Sequence, residues 1–170
     1  PYGVPLPVKF FNDDLAEAGY PGAPIYTPVP EPPKGFARLV YGRVPVHTFN
    51  RSMNNIWLNA EIPENPIWLN QETARKLGLK DGEKIQLINQ DGVSAQAGIL
   101  KVTPGIRKDT IYTAHGYGTR NPAMTNGVNK GLDEQTLITR PAVDPETGAH
   151  GMRTAFVQIL KNGKALSIPA

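Results

Sequence analysis

Residues 65–92, Asn-Pro-Ile-Trp-Leu-Asn-Gln-Glu-Thr-Ala-Arg-Lys-Leu-Gly-Leu-Lys-Asp-Gly-Glu-Lys-Ile-Gln-Leu-Ile-Asn-Gln-Asp-Gly, constrain the fold more than any other stretch of this chain. An apolar run from Ile67 to Leu69 follows a proline and reads as a short strand. Asn70 has the side chain of a helix N-cap, and Glu72 falls in the first turn, where the helix dipole favours an anion. Ala74 and Leu77, three apart, share a helical face. Arg75 and Lys76 suit a last turn, and Gly78 is placed to end the helix in a left-handed conformation. Asp81-Gly82 makes a turn, after which Ile85 and Leu87 alternate with Lys84 and Gln86 as in a strand. Gln90-Asp91-Gly92 turns the chain, and Val93, Ala95, Ala97 and Ile99 alternate on the way back, as in a β-hairpin. A chain that writes strand, short helix and hairpin in one segment must place a sheet around them.

The rest of the sequence supports a sheet-rich domain. Gly 17 and Pro 17 among 170 residues favour turns and short strands over long helices. Hydrophobic content of 39% is enough for a real core, and charged content of 19% is not that of a disordered chain. The formal charge of +3 comes from scattered Lys and Arg without a basic block, which is the pattern of a solvated surface rather than a nucleic-acid face. With no cysteine there is no disulfide, thiolate nucleophile or cysteine ligand. No apolar run approaches the roughly twenty residues of a membrane span. The chain has no signal peptide and starts Pro1-Tyr2-Gly3, as if cut from something longer or processed.

In chain order, Val8 to Phe11 reads as a short strand, and Asp13 to Gly19 as one helical turn capped by Asn12. Residues 20–34 carry Pro21, Pro24, Pro28, Pro30, Pro32 and Pro33. Such a run is extended and semi-rigid and cannot enter a central strand; Tyr20 and Tyr26 suggest that it lies against a surface. Residues 36–42 read as the first strand of the main domain. Residues 43–55 follow as a loop dense in His, Thr, Asn and Arg, the kind that carries binding groups at a strand end. The hairpin's return strand runs on to Thr103, Pro104-Gly105 turns the chain, and Thr110 to Ala114 is another strand, leading into His115-Gly116-Tyr117-Gly118. Residues 119–150 lack a sustained period and hold the turn signals Asn121-Pro122, Asn126-Gly127 and Asp144-Pro145. Met152 to Leu160 reads as a closing strand. The division is therefore an arm or linker over 1–34, a main domain over 35–162 and a tail over 163–170. Six or seven short strands with one or two small helices fit a partly closed β-barrel with long loops gathered at one side.

No self-sufficient catalytic constellation is visible. His47, His115 and His150 lack metal-site spacing. Ser52 is not in a nucleophile elbow, and there is no P-loop or dinucleotide glycine fingerprint. A self-processing decarboxylase on a similar barrel needs a Gly-Ser bond, and the chain has none. The inventory suits a large polar ligand. Asn50, Asn54, Asn55, Asn126 and Asn129 supply donors and acceptors, and Arg43, Arg51 and Arg153 can pair with phosphate. Backbone amides around Gly116 and Gly118 permit close approach.

The unit from Leu69 through Ala74, Leu77-Gly78 and Asp81-Gly82-Glu83 to Leu87, with Asp91-Gly92 and Pro104-Gly105, resembles the C-terminal dinucleotide-binding domain of molybdopterin oxidoreductases of the dimethyl sulfoxide reductase family. Gly42-Arg43, His47-Thr48 and Asn54-Asn55 are similar to the polysulfide and thiosulfate reductase branch. His115 to Gly118, residues 131–139, Asp144 to Gly148 and Gly151-Met152-Arg153 extend the resemblance over nearly the whole chain. It implies a mainly β fold with short helices, a double-psi β-barrel (aspartate-decarboxylase-like) with a proline-rich N-terminal arm.

The resemblance further implies that the domain caps two molybdopterin guanine dinucleotides that hold molybdenum or tungsten and are shared with upstream domains. Arg43, His47, Thr48, Asn50, Arg51, Asn54, Asn55, His115, Gly116, Tyr117, Gly118, Asn126, Asn129 and Arg153 are the expected cofactor-facing residues. No catalytic residue or metal ligand is expected in this chain, and an iron–sulfur cluster would lie elsewhere in the enzyme. The isolated chain should not catalyse. Implied partners are the rest of the catalytic subunit, a membrane anchor subunit, plus an iron–sulfur electron-transfer subunit, with no nucleic acid and no membrane insertion; the implied location is the periplasm. Thiosulfate and polysulfide are the implied substrates, arsenate and tetrathionate the alternatives. A free-standing double-psi barrel acting as a binding or assembly module is the alternative of a different class.

Overall fold

The computed structural model describes residues 8–169; residues 1–7 of the arm and 170 of the tail lie outside them. In chain order the elements are helix α1 (Asp13–Glu17), strand β1 (Ala37–Gly42), helix α2 (Ile56–Glu61), β2 (Ile67–Asn70), α3 (Gln71–Leu77), β3 (Lys84–Asn89), β4 (Gly98–Thr103), β5 (Thr110–Ala114), β6 (Ala142–Val143), β7 (His150–Gly151), β8 (Phe156–Lys161) and β9 (Lys164–Leu166). Single 3-10 turns lie at Phe49–Ser52 and Glu134–Leu137.

The hydrogen-bonded order β1-β5-β2-β4-β3-β8 returns to β1 through the β1–β8 pairing, so six strands close on themselves. Closure removes the unpaired edges of a sheet. This is the mainly β barrel that the sequence leads one to expect. β1 runs parallel to β5 and β2 parallel to β4; the other contacts in the ring are antiparallel. β6 and β7 form a separate small ribbon.

Alternation along the strands fills the barrel. Leu39, Ile67, Leu69, Ile85, Leu87, Leu100, Ile111, Val157 and Ile159 are buried together, and Leu132 and Leu137 join them from the long connection after β5. Inward alternation with period two is what a one-sided sheet face requires.

The segment that organises the sequence is scaffold. Asn70 Oδ1 accepts from the Glu72 backbone N at 2.9 Å, its amide donates to the Ile106 carbonyl at 2.6 Å, and Gly78 closes α3 at φ +66°. Glu72 pairs with Lys108 at 2.7 Å, and α1 has its expected cap, Asn12 accepting from Leu15 N at 3.2 Å.

Four expectations are corrected. Residues 8–11 form no strand, and their apolar side chains stay exposed; with no partner strand their backbone has no ladder to join. The hairpin is short: β3 and β4 pair only at Lys84↔Ile99 and Ile85↔Gly98, with an isolated bridge Ile88↔Ser94. Between these points the ladder is interrupted: residues 93–95 still bond to the same edge of β3, through Asn89 N to the Val93 carbonyl and Ala95 N to the Leu87 carbonyl, while the other edges of β3 and β4 pair with β8 and β2. The proline-rich run meets the barrel through the Pro30 carbonyl, held by the Arg38 guanidinium, and not through Tyr26, which is 86% exposed. The stretch read as a tail contains β9, paired with β8, and its Ile168 is buried with its N–H on the Gly35 carbonyl at 2.9 Å.

Candidate functional site

Parallel pairing decides where the loops go. Gly42 and Ala114 are register partners at the ends of β1 and β5, so residues 43–55 and 115–118 leave the barrel side by side. The His115 N–H donates to the Gly42 carbonyl at 2.8 Å. β2 runs antiparallel to β5, which brings the chain entering β2 to the same end. There Asn65, fully buried, donates to the Ala114 and Leu132 carbonyls at 2.6 and 2.9 Å and accepts from Leu132 N at 2.7 Å. One amide side chain thus ties three loops together.

Two glycines let the loops touch. A Cβ on Gly116 would lie 2.8 Å from the Asn50 backbone N, and one on Gly118 2.4 Å from the Asp133 backbone N. Both have positive φ, +101° and +75°, so a side chain there would meet strain as well as a clash. Gln96 adds a clamp, donating to the Gly118 carbonyl at 3.0 Å and accepting from Asp133 N at 3.3 Å.

His47 is only 6% exposed. Its Nδ1 lies 3.2 Å from Ser52 Oγ, which also accepts from Thr48 N at 2.8 Å. Its ring stands edge-on to Tyr117, with centroids 5.7 Å apart. Its Nε2 is buried with no hydrogen-bond partner among the described residues, a costly arrangement unless something else supplies one. The Arg43 guanidinium lies 4.7 Å over the Phe49 ring. Arg43, Val44, Pro45, His47, Thr48 and Phe49 line an open depression of about 480 Å³. A larger depression of about 550 Å³ lies between the proline-rich arm and the β6–β7 ribbon, away from these groups; volume alone does not mark the site.

Asn54 and Asn126 lock the two flanks, Asn54 Oδ1 accepting from Asn126 N at 2.8 Å and the Asn126 amide donating to the Asn54 carbonyl at 3.0 Å. Asn129 holds the turn, at φ +58° and donating to the Thr119 carbonyl at 2.8 Å. His115 meets Phe49 edge-on, with centroids 5.2 Å apart, and its Nδ1 is bound to Glu134. Asn50 and Arg51 are exposed in the 3-10 turn beside it.

The structure therefore brings together Arg43, His47, Thr48, Asn50, Arg51, Asn54, His115, Gly116, Gly118, Asn126 and Asn129. Two further sequence candidates are present with a side-chain oxygen already engaged. Asn55 caps α2, its Oδ1 accepting from Trp57 N and Leu58 N at 3.0 and 3.1 Å. The Tyr117 hydroxyl donates to the Ile62 carbonyl at 3.0 Å, and burial pushes the phenol up to about 12. Arg153 is not in the cluster: its carbonyl accepts from Arg38, near the start of β1, whereas the loops leave from its far end.

Sequence reasoning missed Glu134, Asn65, Gln96 and Ser52, which hold the loops from behind. Only Asn65, a polar residue two positions ahead of the apolar start of β2, carries a local sign of its role. Among the described residues no group of His, Asp and Glu could hold a metal ion, and no helix is long and apolar enough to cross a membrane.

Comparison with known proteins agrees with this architecture. Over 121 residues, 71% of this chain, it is 33% identical to the thiosulfate reductase molybdopterin-containing subunit PhsA of Salmonella typhimurium, and spans 15% of that protein. Over 119 residues, 69% of this chain, it is 32% identical to a tetrathionate reductase subunit of Archaeoglobus fulgidus, and spans 10% of it. The fold matches acetylene hydratase from Pelobacter acetylenicus at a TM-score of 0.65 and 19% identity, covering 85% of this chain and 22% of that one. Residues 37–155, from the first residue of β1 to the approach to β8, match the molydopterin dinucleotide binding domain, and the chain belongs to that family.

Proposed function

We propose that this barrel holds a molybdopterin guanine dinucleotide at the end where residues 43–55, 115–118 and 126–134 converge, as the cofactor-binding domain of a reductase catalytic subunit. The single observation that carries the placement is the buried, unpartnered Nε2 of His47 beside the open depression. The donor set fits a pyrophosphate-linked pair of heterocycles. Arg43 and Arg51 are exposed cations able to form paired hydrogen bonds to phosphate. Asn50 and the amide groups of Asn54 and Asn126 present both polarities to a heterocycle edge. When bound, the cofactor's molybdenum, or tungsten in its place, supplies the two-electron redox chemistry. The protein supplies orientation and a fixed electrostatic environment.

The enzyme so served reduces thiosulfate or polysulfide. Identity to the thiosulfate reductase subunit supports this reading, and the near-equal identity to the tetrathionate reductase subunit favours tetrathionate as the second. The remaining domains of the catalytic subunit, with an iron–sulfur cluster, a membrane anchor and an electron-transfer subunit in the periplasm, complete the proposed assembly in anaerobic respiration.

The test is metal and nucleotide content. In the full-length subunit, His47→Ala or Asn54→Ala should lower bound molybdenum and releasable guanine nucleotide several-fold, with circular dichroism unchanged. Wild-type content in both variants would overturn the placement.

A further inference from the structure

Glu134 is a carboxylic acid with no exposed surface. A buried carboxylate is expensive unless paired, and a chain that needed only volume here could place a leucine, as it does at the adjacent Leu132 and Leu137. One oxygen, Oε1, is bound to His115 Nδ1 and also accepts from the Gln135 side-chain amide at 3.2 Å. The other, Oε2, has no partner among the described residues. The carboxylate is therefore aimed at the imidazole.

Both partners are held independently. Glu134 opens the 3-10 turn Glu134–Leu137, which Asp133 caps by accepting from Gln135 N at 3.1 Å. Gln96 fastens Asp133 to the Gly118 carbonyl, and Leu137 anchors the turn in the core. His115 is fixed by its backbone bond to Gly42 and stands against Phe49 and Tyr41, with ring centroids 5.2 and 6.1 Å away. The Tyr41 phenol is pushed up by burial and then by the Glu134 carboxylate, which keeps it neutral beside the pair. The His115 side chain is 27% exposed, Glu134 not at all. The ring thus bridges from a sealed interior to the open end of the barrel.

We propose that Glu134 is a positioning residue for His115: its carboxylate accepts from Nδ1–H, imposes the Nδ1–H tautomer, and leaves Nε2 as the nitrogen offered to the bound dinucleotide. The ligand-facing part of this proposal rests on the dinucleotide reading above; the tautomer does not. A solvated histidine side chain prefers the opposite, Nε2–H, form. The second partner of an imidazole decides which nitrogen carries the proton. An imidazole with a bare, fixed Nε2 accepts hydrogen bonds from amino and ring N–H groups, which the edges of a pterin and a guanine provide.

The experiment is nitrogen-15 NMR of the imidazole in this chain, at alkaline pH where histidine is neutral. His115 of the wild type should show a protonated Nδ1 and a bare Nε2. In Glu134→Leu the two nitrogen resonances should exchange places, and in Glu134→Gln, which keeps an acceptor oxygen at the same place, the wild-type pattern should return. A wild-type imidazole protonated on Nε2, or an unchanged pattern in a folded Glu134→Leu, overturns the positioning role. If Glu134→Leu does not fold, the wild-type and Glu134→Gln spectra decide. Guanosine diphosphate, added as a probe, tests the underlying reading separately. With the tautomer as stated, a probe that moves the His115 Nε2 resonance supports the full proposal. A probe that moves neither this resonance nor those of His47 and Asn126 overturns the ligand-facing part, while Glu134's control of the tautomer stands.

Discussion

β5 carries a carboxylate pair at each end, and the two pairs belong to different kinds of structure. Ahead of the strand, Asp109 binds Arg107, two residues away, at 2.7 Å, with the arginine side chain 80% exposed. Beyond it, His115 binds Glu134, nineteen residues away and fully buried. The first pair is local, solvated and screened; pairs of this kind contribute little. The second exists only because the barrel closes and a distant turn folds back on the loop. The Asp109–Arg107 pair is made between near neighbours in sequence, whereas the His115–Glu134 pair is made between segments that only the fold brings together. A binding face needs the second construction, since a group held from behind can present its free side to a ligand without losing its place.

The comparison breaks most visibly at Asn65. Its amide replaces what would be loop solvation with three buried bonds to two other segments. Asn65→Ala should cost about 3 kcal/mol, at roughly 1 kcal/mol per bond lost with partners left buried. The urea midpoint of the chain reads this directly. A loss under about 1 kcal/mol would mean that the exit-end loops are no more interdependent than a local, solvated pair.

Gly118→Ala should cost somewhat less, about 2 kcal/mol, from positive φ and from the required shift of the Asp133 backbone. Its sharper signature is spatial. Amide exchange should quicken over residues 115–118 and 130–136 and stay unchanged in α3 and β3. Uniform quickening across the barrel would show that the loops are not a separable unit.

What the sequence discloses follows the same divide. The cap of α3 was legible because Asn70 bonds to Glu72, two residues on, and the strands were legible because their burial alternates. β9 was not, because three residues cannot show a period. α2 was hidden because Asn55, its cap, looks the same as an amide available to a ligand. Residues 43–55 and 115–118 could be nominated by composition, but nothing local links Glu134 to His115 or Gln96 to Gly118. Those pairings come from barrel closure, and an aperiodic stretch such as 119–150 gives no register from which to infer them. Arg153 has the chemistry of a phosphate ligand, but the topology carries it elsewhere.

The entry-end pair should give the smallest effect and a pH signature of its own. Asp109 is held down from 3.8 to about 2, first by the hydrogen bond from Arg107, with help from the Thr110 hydroxyl, against a partial burial that opposes ionisation. Its folded value lies below its unfolded one. The stabilisation is therefore complete above the unfolded value and is lost as pH falls from about 4 towards about 2. Because the Asp109 side chain is 40% exposed, solvent screening reduces the contribution to about 0.5 kcal/mol. Asp109→Asn should lower stability by that amount at neutral pH and by nothing at the acid end, so that the two unfolding curves converge on acidification. A gap that persists at low pH would mean that Asp109 acts through geometry rather than charge, and that the two ends of β5 are more alike than their burial implies.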